Sequence, residues 1–393
     1  MNRWLGIVVL MGCAAAVHAD EIFFDIKETA GLKRFGYPVD LVIPLPKSVD
    51  PQWGYRLEAK APVVAQFRPV VVNNQVKSVM VDFSVSMDPL ETRRMRLVYG
   101  PDVKSTDPKG EMHVVTTDTH FRVVNHGSLN WDIPKDALGL FHDVKTAKTQ
   151  YVRPGSEGLV IWYRDQIPFR AGGKGPNGKP TVGEIVRQGP LAVALRFTGT
   201  EALRGSRSVE SVVDLTFPRS KSWVRIDWTI DDPNSLVAGL GINLSLNLMA
   251  ENTLVDFGAG SYVYTTLKNA ESALLDAQQG KWTIQQGTGE NLTPFATSTA
   301  TNRSVEGWAH MMDRQACTAF AFHGMNDPTG GSIRASGDGQ LSAMRYFARD
   351  PMITRAGPKR LTAWFHFVPM PVQIGALTSP QSMMAPLEIR FVP

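Results

Sequence analysis

The chain has 393 residues, 43% of them apolar and 20% charged, with a formal net charge of +4. That length admits two domains with real cores, and the composition excludes a charge-rich disordered chain. The basic excess comes without a Lys/Arg block interleaved with aromatics, which argues against a nucleic-acid partner. Its sign suits an acidic polysaccharide, but only weakly.

Residues 1–19 read as an export leader. Arg3 gives a positive start, Trp4 to Met11 is apolar, and Val17-His18-Ala19 is a small-x-small cleavage site. The apolar run is shorter than the roughly 20 residues a membrane-spanning helix needs, so no transmembrane segment is expected. The mature chain is therefore placed in the periplasm or outside the cell. Leu10-Met11-Gly12-Cys13 also resembles a lipobox, which makes lipidation at Cys13 the alternative. The other cysteine, Cys317, lies in the apolar segment ACTAFAF. It has no disulfide partner and reads as a buried small hydrophobe.

YPVDLVIPLP, from Tyr37, is a strand ended by prolines. Ala61 to Val72, with Pro62 and Pro69, has the character of an edge strand. Ser78 to Met87 alternates, with Val79, Val81, Phe83 and Val85 on one side. Arg93 to Gly100 is a further strand. Asp102 to Gly110 is rich in Asp, Lys, Pro and Gly and marks a boundary. A small β-barrel domain is thus expected over 20–108 and a large β-sandwich domain over 109–393.

In the second part, HVVTT and HFRVVN flank the turn Asp118-Thr119. SLNWDI, LGLFHDV and GLVIWYR follow. The Gly/Lys stretch from Ala171 (AGGKGPNGKPT) reads as a solvated turn and lacks the spacing of a phosphate loop. The spine is GPLAVALRFTG from Gly189, followed by RSVESVVDLTFPRSKSWVRIDWTIDDP from Arg207. Val224, Ile226, Trp228 and Ile230 share one face, and Trp223, Arg225, Asp227 and Thr229 take the other. Period two over such lengths means antiparallel strands with one buried face.

Gly239 to Leu248 alternates again, and Tyr262 and Tyr264 share one side of a strand. Ala270 to Gln279 is the best helix expectation, with Leu274, Leu275 and Ala277. Thr293 to Ser304 reads as a polar loop. Trp308 to Met312, Ala316 to Phe322, Gln340 to Phe347 and Arg360 to Pro369 are strands, and the end is a loop with a last extended stretch. With 34 Gly and 26 Pro as punctuation, the expected fold is all-β, a small barrel followed by a large antiparallel sandwich.

The order of FGYPVDLVIPLPKS, VKSVMVDFSV, HFRVV with GSLNWDI, GPLAVALRFTG with its long hairpin, GWAHMMDRQACTAFAF and FHFVP resembles the YetA-like and exo-rhamnogalacturonan lyase family over about 30–388. The resemblance implies a RIFT-type barrel and a mutarotase-like sandwich. It further implies a secreted carbohydrate-active protein that acts on or binds an acidic polysaccharide, as a polysaccharide lyase would. Characterised members continue into a helical toroid, for which this sequence shows no helical repeat, and no family catalytic residue can be matched to a position here.

Lytic cleavage of a uronic-acid polymer needs a group that neutralises the carboxylate, a base for the neighbouring C–H and an acid for the leaving oxygen. His142, Tyr151 and Arg153 supply these types in one stretch and are the catalytic candidates. Trp223 and Tyr163 are the candidates for sugar contact, because aromatic faces stack on pyranose rings. For Trp223 the strand register points away from Val224 and Ile226. Paired carboxylates for hydrolysis could come from Asp227 with Asp231 or Glu210 with Asp214. The turn Asp231-Asp232-Pro233-Asn234 could bind calcium, but turn chemistry accounts for it equally. No other cofactor is expected, and His310 with Asp313 and His323 is the remaining convergent group. A non-catalytic carbohydrate-binding or scaffold protein is the alternative to an enzyme. Substrate and oligomeric state are not legible.

Overall fold

The computed structural model describes residues 19–105, 108–110, 112–125, 129–135, 139–164, 168–170, 181–203, 207–249, 251–260, 262–298, 304–372 and 379–392. Residues 1–18 of the expected leader and the Gly/Lys stretch at 171–180 lie outside them. The fold is all-β, and every strand ladder among the described residues is antiparallel.

The large unit is a sandwich of a nine-stranded and an eight-stranded sheet. Ala192–Ala202, Ser208–Pro218 and Trp223–Asp232 run side by side in the nine-stranded sheet, followed by Gly357–Pro369 and Ala316–Phe322. The alternation read from the sequence sets the faces. Val224, Ile226, Trp228 and Ile230 are fully buried and share one core with Leu240, Ile242, Leu275 and Ile333 of the facing sheet. Each such aliphatic side chain contributes about 1.5–3 kcal/mol on burial. Trp228 keeps its indole N–H satisfied by donating to Ser211 Oγ at 2.9 Å. A four-stranded sheet adds Phe121, Val123, Trp131, Ile133 and Val144 to the same core.

The small unit packs a five-stranded sheet against a three-stranded one. Phe24, Ile26, Leu57, Met95 and Leu97 meet Ile43, Val79, Val81, Phe83 and Val85 between them. The strand Ala65–Val72, with its proline, lies at the edge of the three-stranded sheet.

The chain end returns to this unit. After the short helix Ser379–Met384, the strand Glu388–Val392 pairs with Asp20–Lys27 and covers what would otherwise be an open sheet edge. The expectation that everything after residue 108 belongs to the sandwich is corrected for these residues. The helix rests on the outer face of the nine-stranded sheet, where the small side chains of Ala319 and Ala321 leave room for Met383. Among the described residues no helix is long and apolar enough to cross a membrane.

Two further expectations change. The segment expected as a helix at 270–279 is the strand Glu271–Gln278. Glu, Ala and Leu favour helix on their own, but Ala273, Leu275 and Ala277 alternate into the core. Ladders on both sides, with Lys281–Thr288 and Gly331–Ser336, override that propensity. The hairpin signal was Gln279-Gly280, both at positive φ (53° and 74°). The polar stretch from Thr293 begins inside the strand Asn291–Thr297 and is not wholly a loop.

Candidate binding cleft between the two units

The strands of the three-stranded sheet carry one polar row. Asp40 lies opposite Asp82, and Asp82 opposite Gln66. Alternation sends Val39, Val81 and Phe83 into the small core, so the row faces the large unit. Gln66 Oε1 accepts from the Leu191 N–H at 3.1 Å. A Cβ on Gly189 would stand 2.1 Å from the Gln66 amide, so a side chain there would have to displace that amide. Asp82 accepts from Arg68 Nη2 at 2.7 Å and from Arg187. Asp40 Oδ2 stands 3.6 Å from Arg187 and 3.6 Å from Arg225, beyond hydrogen-bond length in both cases.

The opposing wall is the outer face of the nine-stranded sheet. Its register places Trp223 beside His366, Arg225 beside Trp364 and Asp227 beside Thr362. Asp227 accepts from Arg360 Nη2 and Thr362 Oγ1, both at 2.8 Å. Between the walls lies a cavity of about 120 Å³ whose lining includes Tyr37, Asp40, Arg187, Trp223, Arg225 and Trp364.

The electrostatics of this cleft are uneven. Burial pushes the Asp82 carboxyl up against the pull of Arg187 and Arg68. Burial would also raise Asp227, but Arg225 and the hydrogen bonds from Arg360 and Thr362 outweigh it and hold that carboxyl below its usual range. Arg225 loses to burial and gains more from Asp40 and Asp227, so it stays firmly cationic. Its Nε lies 2.8 Å from Asp227 Oδ2, but at an angle that leaves the N–H without a hydrogen bond. Arg225 thus makes no well-aligned hydrogen bond among the described residues. For Arg187 the aligned partner is Asp82. The two guanidiniums therefore keep donor capacity on the side of the cleft that Asp40 faces from a distance.

Trp223 does point away from the sandwich core, as its register implies, yet it is only 4% exposed. Tyr37 meets it edge-on at 5.9 Å, Lys221 Nζ lies 5.5 Å from its ring centroid, and Met383 shares its cluster. The outer face is covered by the small unit and the C-terminal helix, and Trp223 serves as part of the cleft wall.

The three catalytic candidates are not brought together. Tyr151 is 1% exposed, packs on Phe367, and has no partner for its hydroxyl. Burial pushes its phenol up to about 12, which removes it as a base near neutral pH. His142 is exposed and lies against His120, ring centroids 4.6 Å apart. Arg153 donates to the carbonyls of Asp338 and Leu248 at 3.1 and 2.9 Å, which ties two turns together. These residue types are neighbours in sequence, but the burial of Tyr151 and separate partners divide them. Tyr163 is buried, and its hydroxyl accepts from Arg207 at 3.1 Å.

The other groups are engaged structurally. Asp214 is paired with Arg196 at 2.7 and 2.9 Å. Asp232, fully buried, accepts from the N–H groups of Leu236 and Val237, as turn chemistry anticipates. His310 faces Asp256 at 3.5 Å, not Asp313 or His323. Asp313 accepts from the N–H groups of Met249, Gln315 and Ala316. Among the described residues no three His, Cys, Asp or Glu side chains gather as a metal-ligand set. Cys317 is a buried thiol whose pKa burial raises to about 12.

Sequence reading missed Asp40, Asp82, Arg187 and Gln66. The available signal was a lone polar residue in the middle of an apolar strand, as in YPVDLVIP and VMVDFSV. Such a residue on a face that ought to be dry implies a partner from elsewhere.

No protein-family model matches the chain, and no curated protein matches it. The lyase-family resemblance therefore rests on the sequence motifs alone. Among solved structures, the chain is similar to the crystal structure of an α-mannosidase from Enterococcus faecalis, at TM-score 0.61 and 12% identity over 95% of this chain. A protein in glycosyl hydrolase family 38 from the same organism gives TM-score 0.59 and 11% identity over 95% of this chain. The chain spans 46% and 47% of the length of those two structures. At such identity the likeness is one of fold.

Proposed function

We propose that this chain is a carbohydrate-binding β-sandwich protein that takes an acidic sugar in the cleft between its two units. The observation that carries the reading is the pair Arg187 and Arg225. Each is paired with a carboxylate on one side, Asp82 or Asp227, and turns a guanidinium nitrogen toward Asp40 at 3.6 Å, beside the aromatic walls of Trp223, Trp364 and Tyr37. A uronate carboxylate offers what Asp40 supplies only at a distance, and its ring offers an apolar face to the indoles. The likeness in fold to an α-mannosidase and a family 38 glycosyl hydrolase supports a carbohydrate setting.

Binding is favoured over lyase chemistry because the cleft supplies charge neutralisation and stacking, whereas its tyrosine is a poor base. Burial pushes the Tyr37 phenol up, so it stays protonated near neutral pH. The test is calorimetric titration with oligosaccharides of polygalacturonate, rhamnogalacturonan and alginate, against uncharged oligosaccharides as controls, while the ultraviolet absorbance of unsaturated uronide is followed. Arg225→Met removes a charge-assisted contact of about 1.5–3 kcal/mol, which is about 10- to 100-fold in affinity. Equal affinity of wild type and Arg225→Met for every acidic oligomer would refute the cleft. A rise in absorbance would make the protein a lyase.

A further inference from the structure

The interface between the units has a second cavity, at the far end of the polar row from Asp40. It measures about 380 Å³, and Trp53, Tyr55, Phe67, Pro69, Pro108 and Pro190 form most of its wall, with Gln66 and Ser105 completing its polar part. This size falls within the ~300–1,000 Å³ of small-ligand sites. Among the described residues no charged side chain lines it, in contrast to the Arg187/Arg225 cleft.

Its aromatic side chains form a stack. Tyr55 lies over Phe67 at 6.0 Å and 29°, and over Tyr99 at 6.4 Å and 17°, while Trp53 leans on Tyr99 at 6.3 Å. Two polar groups of this wall are held in place but left open. Tyr55 is 3% exposed, and its hydroxyl has no hydrogen-bond partner among the described residues. Gln66 is 8% exposed. Its Oε1 accepts from Leu191 N–H, and its amide nitrogen donates to nothing among the described residues. An orphaned buried hydroxyl is costly to leave unpaired, so a group that completes it binds with that advantage.

We propose that this cavity is a second carbohydrate subsite, for an uncharged sugar ring. The ring's C–H face lies on Trp53 and Phe67, and its hydroxyls meet Tyr55 Oη and the Gln66 amide. The flat apolar wall fits a pyranose face, the donor and acceptor pair fits vicinal hydroxyls, and the lack of charge among the described lining residues disfavours a uronate. The inference rests on the carbohydrate reading above but not on the arginine cleft.

The experiment is titration of the intact protein with neutral oligosaccharides of mannose, galactose, glucose and xylose, followed by tryptophan fluorescence and calorimetry. Wild type, Trp53→Ala, Tyr55→Phe and Arg225→Met are compared, and a urea melt of each confirms folding. At least one neutral oligosaccharide is expected to bind and to weaken about tenfold or more in Trp53→Ala. A smaller loss is expected in Tyr55→Phe, which keeps the ring stack, and no change in Arg225→Met. Acidic oligomers should show the opposite pattern. Absence of neutral-sugar binding by wild type, or binding indifferent to both Trp53→Ala and Tyr55→Phe, overturns the subsite. A proline-rich peptide bound in competition, with no sugar bound, overturns it in favour of a peptide groove.

Discussion

Replacing Glu28 by Gln should cost this protein a large part of its stability. The Glu28 and Arg34 side chains are 0% and 1% exposed and pair at 2.8 Å. The Glu28 carboxylate also accepts from the N–H groups of Ala30, Gly31 and Leu90, at 3.1, 2.7 and 3.1 Å. Arg34 in turn donates to the Ser382 carbonyl at 2.9 Å and so anchors the C-terminal helix. Glu28→Gln keeps the volume and deletes the charge, leaving a buried guanidinium uncompensated at a cost of about 3–5 kcal/mol. That is a fifth or more of the ~5–15 kcal/mol by which domains are stable.

The pH dependence gives an independent check. Burial would raise the Glu28 carboxyl, but the hydrogen bonds from Arg34, Leu90 and Ala30 outweigh it and hold it at about 2, against 4.5 for the free group. The unfolded chain therefore takes up the proton first. The contribution is fully present above pH 4.5 and is lost as pH falls toward about 2. Urea melts at a series of pH values should show a gap of about 3–5 kcal/mol between wild type and Glu28→Gln near neutrality, closing on acidification. Adding Arg34→Met to Glu28→Gln should recover stability, because the orphaned charge is removed with its partner. A neutral-pH gap below about 0.5 kcal/mol, or one that does not close, would refute the reasoning.

Tyr151→Phe removes a buried hydroxyl that has no partner and should be neutral or stabilising by up to about 1–3 kcal/mol in a thermal melt. If it instead abolished an activity, Tyr151 would return as a catalytic residue. Asp40→Asn withdraws the carboxylate that competes for Arg187 and Arg225. Acidic oligosaccharides should bind more tightly, with stability lowered by less than about 1 kcal/mol because Asp40 is largely solvated. Weaker binding would show that Asp40 assists the ligand. Gly258→Ala places a Cβ 2.3 Å from the Trp308 ring and should destabilise by about 1–3 kcal/mol in urea through overpacking.

The sequence by itself determined the strands and their faces. Val224, Ile226, Trp228 and Ile230 had to point inward because period-two alternation leaves no other way to bury them. The class of fold and the edge character of Ala65–Val72 follow from the same local rules. Where local preferences disagreed with the partner strands, as at Glu271–Gln278, only the ladders on either side could decide. The cleft was beyond sequence reading for a related reason. Asp40, Asp82, Arg187 and Arg225 come from four strands of two units, and no local pattern links them. His142, Tyr151 and Arg153 were neighbours in sequence with suitable chemistry, but packing on Phe367 took Tyr151 into the core and separate partners took the other two. Local pattern sets which way a side chain points, and only the docking of one sheet against another sets what it meets there.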